Sequence, residues 1–202
     1  VPLLNNSQWA SALAINGQTL APGRENPFRN AVSANFFATL GATLLEGRSF
    51  APADNNPSAP PVAIVNEAFR RKFFGGSSAL GQRLSLLAPP GEKAPDFQIV
   101  GVVRDLRDYR IDRPGEPYWY VPYVQRAHLP SMSLTLRTQL PLADAVAAVR
   151  AELKELDPHI PISQENTLTA LIEERLAQER SISFLSSFFA VVALLLSLVG
   201  LY

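Results

Sequence analysis

The chain has 202 residues, with 18 Lys plus Arg against 18 Asp plus Glu, so its formal net charge is zero. That balance excludes a strongly basic nucleic-acid binder and an acidic solvating tail. The absence of cysteine excludes a disulfide framework, a thiolate metal site and a cysteine nucleophile. Proline is 17 of 202, well above the average of about 5%. The mean hydropathy is nonetheless +0.06, so the apolar residues must be concentrated somewhere.

In chain order, Phe28 to Val32 reads as a short extended run. Ser33 is the expected N-cap of a two-turn helix from Ala34 to Leu40, and Gly41 is its C′ residue. Leu44 to Phe50 follows as a strand. The pattern then recurs. Pro61 to Val65 is an apolar strand, Asn66 a cap, Glu67 to Phe74 a helix, Gly75 its stop and Arg83 to Leu87 a strand. Two strand–cap–helix–glycine–strand units form a weak internal echo. Phe97 to Arg104 reads as a buried strand and Tyr118 to Tyr123 as a short aromatic one.

Met132 to Thr138 alternates Met132, Leu134 and Leu136 with Ser133, Thr135 and Arg137, the period of a strand. In Leu142 to Leu156, Leu142, Val146, Val149, Leu153 and Leu156 fall on one helical face. His159 to Gln164 returns as a strand. This β–α–β order predicts a split βαβ layer with helices on one face of a mixed sheet. Residues 1–166 are thus expected to be an α+β domain: a mixed sheet with short βαβ units and helices packed on it. Most prolines fall in loops between these elements.

Chemistry-bearing motifs are weak. Gly76 to Gly81 has the two glycines of a phosphate loop, but Gln82 and Arg83 replace its lysine and serine or threonine, and a strand follows. It reads as a turn. Arg104 to Arg113 alternates four arginines with three aspartates, and reads as a solvated loop rather than an acid–base pair, which needs one desolvated carboxyl. His128 and His159 lack companion ligands at metal spacing. The phenylalanines 36, 37, 69, 73 and 74 read as core. No catalytic set, cofactor motif or metal site emerges, so no enzyme is expected.

The apolar residues lie at the end. The segment from Ser181 to Tyr202 carries no charge. As a helix, Ile182 to Tyr202 would span about 31 Å, close to the hydrocarbon thickness of a bilayer. Tyr202 falls where an interfacial aromatic belongs. Before it, Thr167 to Arg180 places Leu168, Leu171, Ile172 and Leu176 on one stripe, with Glu173, Glu174, Arg175 and Glu179 elsewhere. The last proline is Pro161, and Gly200 is the one glycine after it. The expectation is one unbroken helix over 167–202, amphipathic first and then transmembrane, with Phe184, Phe188, Leu194 and Leu198 among its membrane residues. About 36 residues would reach roughly 54 Å. A chain starting at Val1 and stopping at such a helix is expected to be a piece of a longer membrane protein.

Five segments in this order resemble the extracytoplasmic core domain of MacB-like ABC transporter permeases: Val32–Phe50, Pro60–Leu84, Phe97–Arg107, the YWYVPY strand and the closing LLLSLVGLY. The combination is similar to the ATPase-less duplicated permeases of acidobacterial type in the MacB/FtsX family. The resemblance implies a periplasmic domain between a first membrane helix and the 167–202 helix, which would begin an FtsX-like domain. Residues 1–180 would lie on the periplasmic side of the bacterial inner membrane. Implied partners are membrane lipid, a separate cytoplasmic ATPase subunit that binds the ATP, a second permease copy and a periplasmic adaptor. No cofactor is implied in this chain. The implied function is transmission of ATP-driven motion for export or cell-envelope work. The alternative is a membrane-anchored sensor or regulatory domain that moves no substrate.

Overall fold

A computed structural model describes residues 13–20, 26–87, 95–106, 115–125, 132–162, 165–167, 169–170, 173, 187, 189–190, 193, 196–197 and 199–200. It divides the chain into two units, residues 1–137 and 138–202. The first unit holds β1 (Leu13–Ile15), β2 (Gln18–Thr19), β3 (Phe28–Val32), α1 (Phe36–Leu40), β4 (Leu44–Gly47), β5 (Val62–Asn66), α2 (Glu67–Phe74), β6 (Arg83–Leu86), β7 (Asp96–Val103) and β8 (Tyr118–Pro122). The second holds α3 (Leu142–Leu156).

All eight strands join one mixed sheet in the order β2-β1-β6-β7-β5-β8-β3, with β4 also on β7. The pairs β3–β8 and β5–β7 are parallel; β5–β8, β6–β7, β4–β7, β1–β6 and β1–β2 are antiparallel. The parallel β5–β7 pair is joined through α2 and β6. β7 is the axis. On one side it carries β5. On the other, β6 pairs with residues 96–98 and β4 with residues 101–103. The gap between them is closed by Gly81 N–H to Ile99 O at 2.8 Å, Ile99 N–H to Gln82 O at 2.9 Å and Arg48 N–H to Val100 O at 2.9 Å. A central strand must satisfy every backbone group in this way, because an unpaired buried one costs as much as a lost bond.

The register slips between Ala63 and Ile64 on β5, which leaves Val100 as the extra residue of a bulge in β7. Two glycines let β4 close over it. A Cβ on Gly101 would lie 2.3 Å from Arg48 O, and one on Gly47 would lie 2.2 Å from Val100 O. No larger residue fits either place without moving backbone.

The sheet is covered on both faces. On one face Phe69 of α2 packs with Ala63, Val65, Phe97, Ile99 and Trp119. On the other Phe37 of α1 packs with Val62, Ile64, Phe50 and Tyr120. This corrects the expectation of helices on one face. The physical reason is visible in β5 and β8: all five residues of each are buried, as a strand between two layers requires.

Several boundaries also move. The N-cap of α1 is Asn35, not Ser33, and its side chain makes no capping bond. Ser33 contributes only its carbonyl, which accepts from Phe36 N–H at 3.2 Å. β4 stops at Gly47, because the chain turns there at φ 71°. The predicted strand at 132–138 is absent, and Met132 and Leu134 are 71% and 70% exposed. His159 to Ile162 is not a strand either. Alternation marks two faces, but a strand also needs a neighbour to take its backbone bonds.

The second unit contains α3 with the predicted limits, although none of its residues is buried. Thr167 Oγ1 accepts from Ala170 N–H at 3.1 Å, an N-terminal cap for the next helix. The described residues at 169–170, 173, 187, 189–190, 193, 196–197 and 199–200 are helical. Among the described residues, no helix is long and apolar enough to cross a membrane. Most of the segment 181–202, expected to do so, lies outside them.

Candidate functional site

Among the described residues, several charged side chains are tied up in pairs. Asp54 sits in the turn after β4, where Arg48 Nη1 and Nη2 donate to its two oxygens at 2.6 and 3.1 Å and Ala51 N–H donates at 2.7 Å. The hydrogen bond from Arg48 holds the Asp54 carboxyl below its ordinary value of 3.8, against the opposing effect of burial. The same bond raises Arg48. Gln125, just past β8, clamps this turn to the sheet: its Nε2 donates to Asp54 O at 3.1 Å and its Oε1 accepts from Val62 N–H at 3.3 Å.

Glu46 on β4 pairs with Arg70 on α2 and accepts from Ser78 Oγ at 3.0 Å. Asp105 belongs to the charge run expected to be solvated. It instead accepts from Ala68 N–H at 2.8 Å and from Arg71 Nη2 at 3.0 Å, at the start of α2. Asn66 completes that junction. Its Oδ1 accepts from Phe69 N–H at 3.0 Å and Tyr118 N–H at 2.8 Å, while its Nδ2 donates to Glu116 O at 2.8 Å. The N-terminus of α2 is therefore filled by the protein's own acceptors. Residues 107–114 of the charge run lie outside the described residues.

The Gly76–Gly81 segment is a loop leading into β6, so it presents no helix N-terminus to a phosphate. His159 is exposed and lies 3.3 Å from Asp157 Oδ1. His128 lies outside the described residues. Among the described residues, no group of three His, Asp or Glu side chains could hold a metal ion. Phe37 and Phe69 are core as expected, with Phe36, Phe73 and Phe74 partly buried around them. In the second unit, Leu142, Ala143, Val146 and Ala147 floor an open groove of about 420 Å³, edged by Arg150 and Glu165. Arg150 Nε donates to Glu165 Oε1 at 3.0 Å, so the groove's charges also neutralise each other.

The nine residues expected to form the stalk and membrane face, Leu168, Leu171, Ile172, Leu176, Phe184, Phe188, Leu194, Leu198 and Tyr202, all lie outside the described residues. What the described part offers is a braced sheet unit. Its ion pairs and its buried Asn66 lock α2 and its flanking loops to the sheet.

Comparison with known proteins gives this unit a lineage. The family model for the MacB-like periplasmic core domain matches residues 6–156. The periplasmic region of MacB from Actinobacillus actinomycetemcomitans shares the fold at a TM-score of 0.52 and 16% identity, over 74% of this chain and 64% of that one. A domain of a putative permease from Porphyromonas gingivalis aligns at 0.48 and 15% identity, over 85% and 83% of the two chains. The extracellular domain of the ABC-type transporter YknZ from Gram-positive bacteria aligns at 0.37 and 20%, over 58% and 55%. No curated protein sequence matches. The chain therefore spans just under two-thirds of the MacB periplasmic region it is similar to, and it belongs to the family of MacB-like periplasmic core domains.

Proposed function

We propose that this chain is the periplasmic domain and second membrane helix of an ABC transporter permease, and that it transmits ATP-driven movement across the membrane. The observation that carries this reading is the order of its parts. The family match ends at residue 156. Thr167 then caps a new helix. From Ser181 the sequence has no charge up to Tyr202. The charges over 173–180 sum to about −1, which suits a flank outside the cytoplasm.

In this reading a cytoplasmic ATPase subunit closes on ATP and moves the 167–202 helix as a lever. The braced sheet unit moves with it, and a second permease copy supplies the surface it opens or closes against. An exported substrate, an adaptor or a lipoprotein would feel that movement. The mechanical requirement is a helix without a break between domain and membrane.

Leu176→Pro in the intact transporter tests it, with Leu176→Ala as the control that keeps a helix. The expected result is assembled complex with ATP hydrolysis retained, but export lost in the proline variant alone. Full export by a normally assembled proline variant would remove the lever. A domain that only senses a partner would keep partner binding in both variants and show no ATP-dependent export in either.

A further inference from the structure

The sheet ends in a hairpin whose turn is Asn16–Gly17, flanked by the pair Ile15↔Gln18. Both turn residues have positive φ, 49° and 81°, the pattern of a type I′ turn. Asn–Gly occurs nowhere else in the sequence. Both residues are exposed, and nothing lies within 4 Å of the place a Gly17 Cβ would take. The peptide nitrogen after Asn16 is therefore unshielded, which is the steric condition for attack on the asparagine side chain.

The Asn16 amide is also the latch that ties this turn to β6. Its Nδ2 donates to Gln82 Oε1 at 2.8 Å, and its Oδ1 accepts from Arg83 N–H at 3.0 Å. Asn16 N–H donates to Arg83 O at 3.0 Å. These bonds hold the amide carbon against the neighbouring strand, and both side-chain bonds must break before it can close a ring onto Gly17 N.

We propose that Asn16 is a deamidation site, gated by its hydrogen bonds to Gln82 and Arg83, whose conversion releases the β1–β2 edge of the sheet. Asparagine is among the thermolabile side chains, and deamidation is a covalent change that alters charge. In the reaction, Gly17 N loses its proton and bonds to Asn16 Cγ. The Cγ–Nδ2 bond breaks and ammonia leaves with that proton. Water then opens the succinimide at either carbonyl, giving aspartate or isoaspartate, with no change of oxidation state. Either product loses the Nδ2 donor and turns a carboxylate toward the Gln82 carbonyl. Isoaspartate also adds a methylene to the backbone, which breaks the Ile15↔Gln18 register. The released strand is not peripheral in packing terms, since Leu13 of β1 is fully buried in the core.

Peptide mapping of the chain after incubation at mildly alkaline pH tests the gate, reading a gain of about one dalton at Asn16. Other asparagines serve as internal controls. Conversion should be fastest in urea, several-fold slower in folded Gln82→Ala, and slowest in the native chain. Gln82→Glu keeps the acceptor oxygen and should stay near the native rate. No product at Asn16 in urea, or equal rates in native chain and Gln82→Ala, would overturn the gated site. Amide exchange over 13–15 should quicken in Asn16→Asp. Unchanged exchange there would overturn the release of the edge.

Discussion

The two strand–helix–strand units share a grammar and differ in how they are held. In both, a strand of the sheet leads into a helix, a left-handed glycine ends it, and the next strand pairs antiparallel with β7. Gly41 and Gly75 take φ 68° and 59° at the same place in each. Yet the helices lie on opposite faces. The second is capped and bolted through Asn66 and Asp105, whereas the first has five residues and no side-chain cap. What fixes α1 is packing: Phe37 is buried among Phe36, Phe50 and Tyr120 at ring separations of 5.1–6.1 Å. Local hydrogen bonds specify the β5–α2–β6 motif, and packing against the sheet specifies the β3–α1–β4 motif.

This contrast can be broken from either side. The largest effect is expected where the first unit closes on β7. Gly101→Ala drives a methyl into Arg48 O and should cost about 3 kcal/mol, read as a fall in the denaturation midpoint. A midpoint equal to wild type would mean β4 is not packed as described. Next, Asn66→Ala removes the cap of α2 and strands the buried Tyr118 N–H, for about 2–3 kcal/mol. Hydrogen exchange should rise at both α2 and β8, because one side chain serves both; a rise confined to α2 would show that β8 does not depend on it.

The smallest effect concerns the turn between β4 and β5. The Asp54 carboxyl is held below 3.8 in the folded chain, so its contribution is fully present above that value. It is lost as pH falls through the folded value. The Arg48 partner is half exposed, so the loss is modest, about 1 kcal/mol or less. Asp54→Asn should lower stability at neutral pH and flatten this part of the acid limb. An acid limb that keeps its wild-type slope would assign it to other carboxylates.

The units were legible because their signals are local. Asn66 as a cap, Gly41 and Gly75 as stops, and α3 from Leu142 to Leu156 follow from spacing and capping chemistry. The face each helix covers was not legible from the helices themselves. The signal lay in the unbroken apolar runs of β5 and β8, which only a sheet covered on both sides can use. The β1–β2 hairpin was missed because its strands are three and two residues long; Asn16–Gly17 was the one marker that could have found it. Asp105 looked like one charge of a solvated run, because nothing local shows that Ala68 lies beside it. The stripe of 132–138 has the period of a strand, but among the described residues no neighbouring strand takes its backbone bonds.

The proposed function requires the braced sheet unit to move as one body when the transporter turns over. These 202 residues hold no cysteine, so Gln98→Cys, exposed on β7, introduces one thiol into the domain. On the proposed reading, with a second permease copy and a separate ATPase subunit, spin-label distances between the copies in membranes measure that motion. The expected result is a shifted distance distribution between nucleotide-free and ATP-bound states, with the label equally immobilised in both. One unchanged distribution in a transporter that is hydrolysing ATP would contradict it.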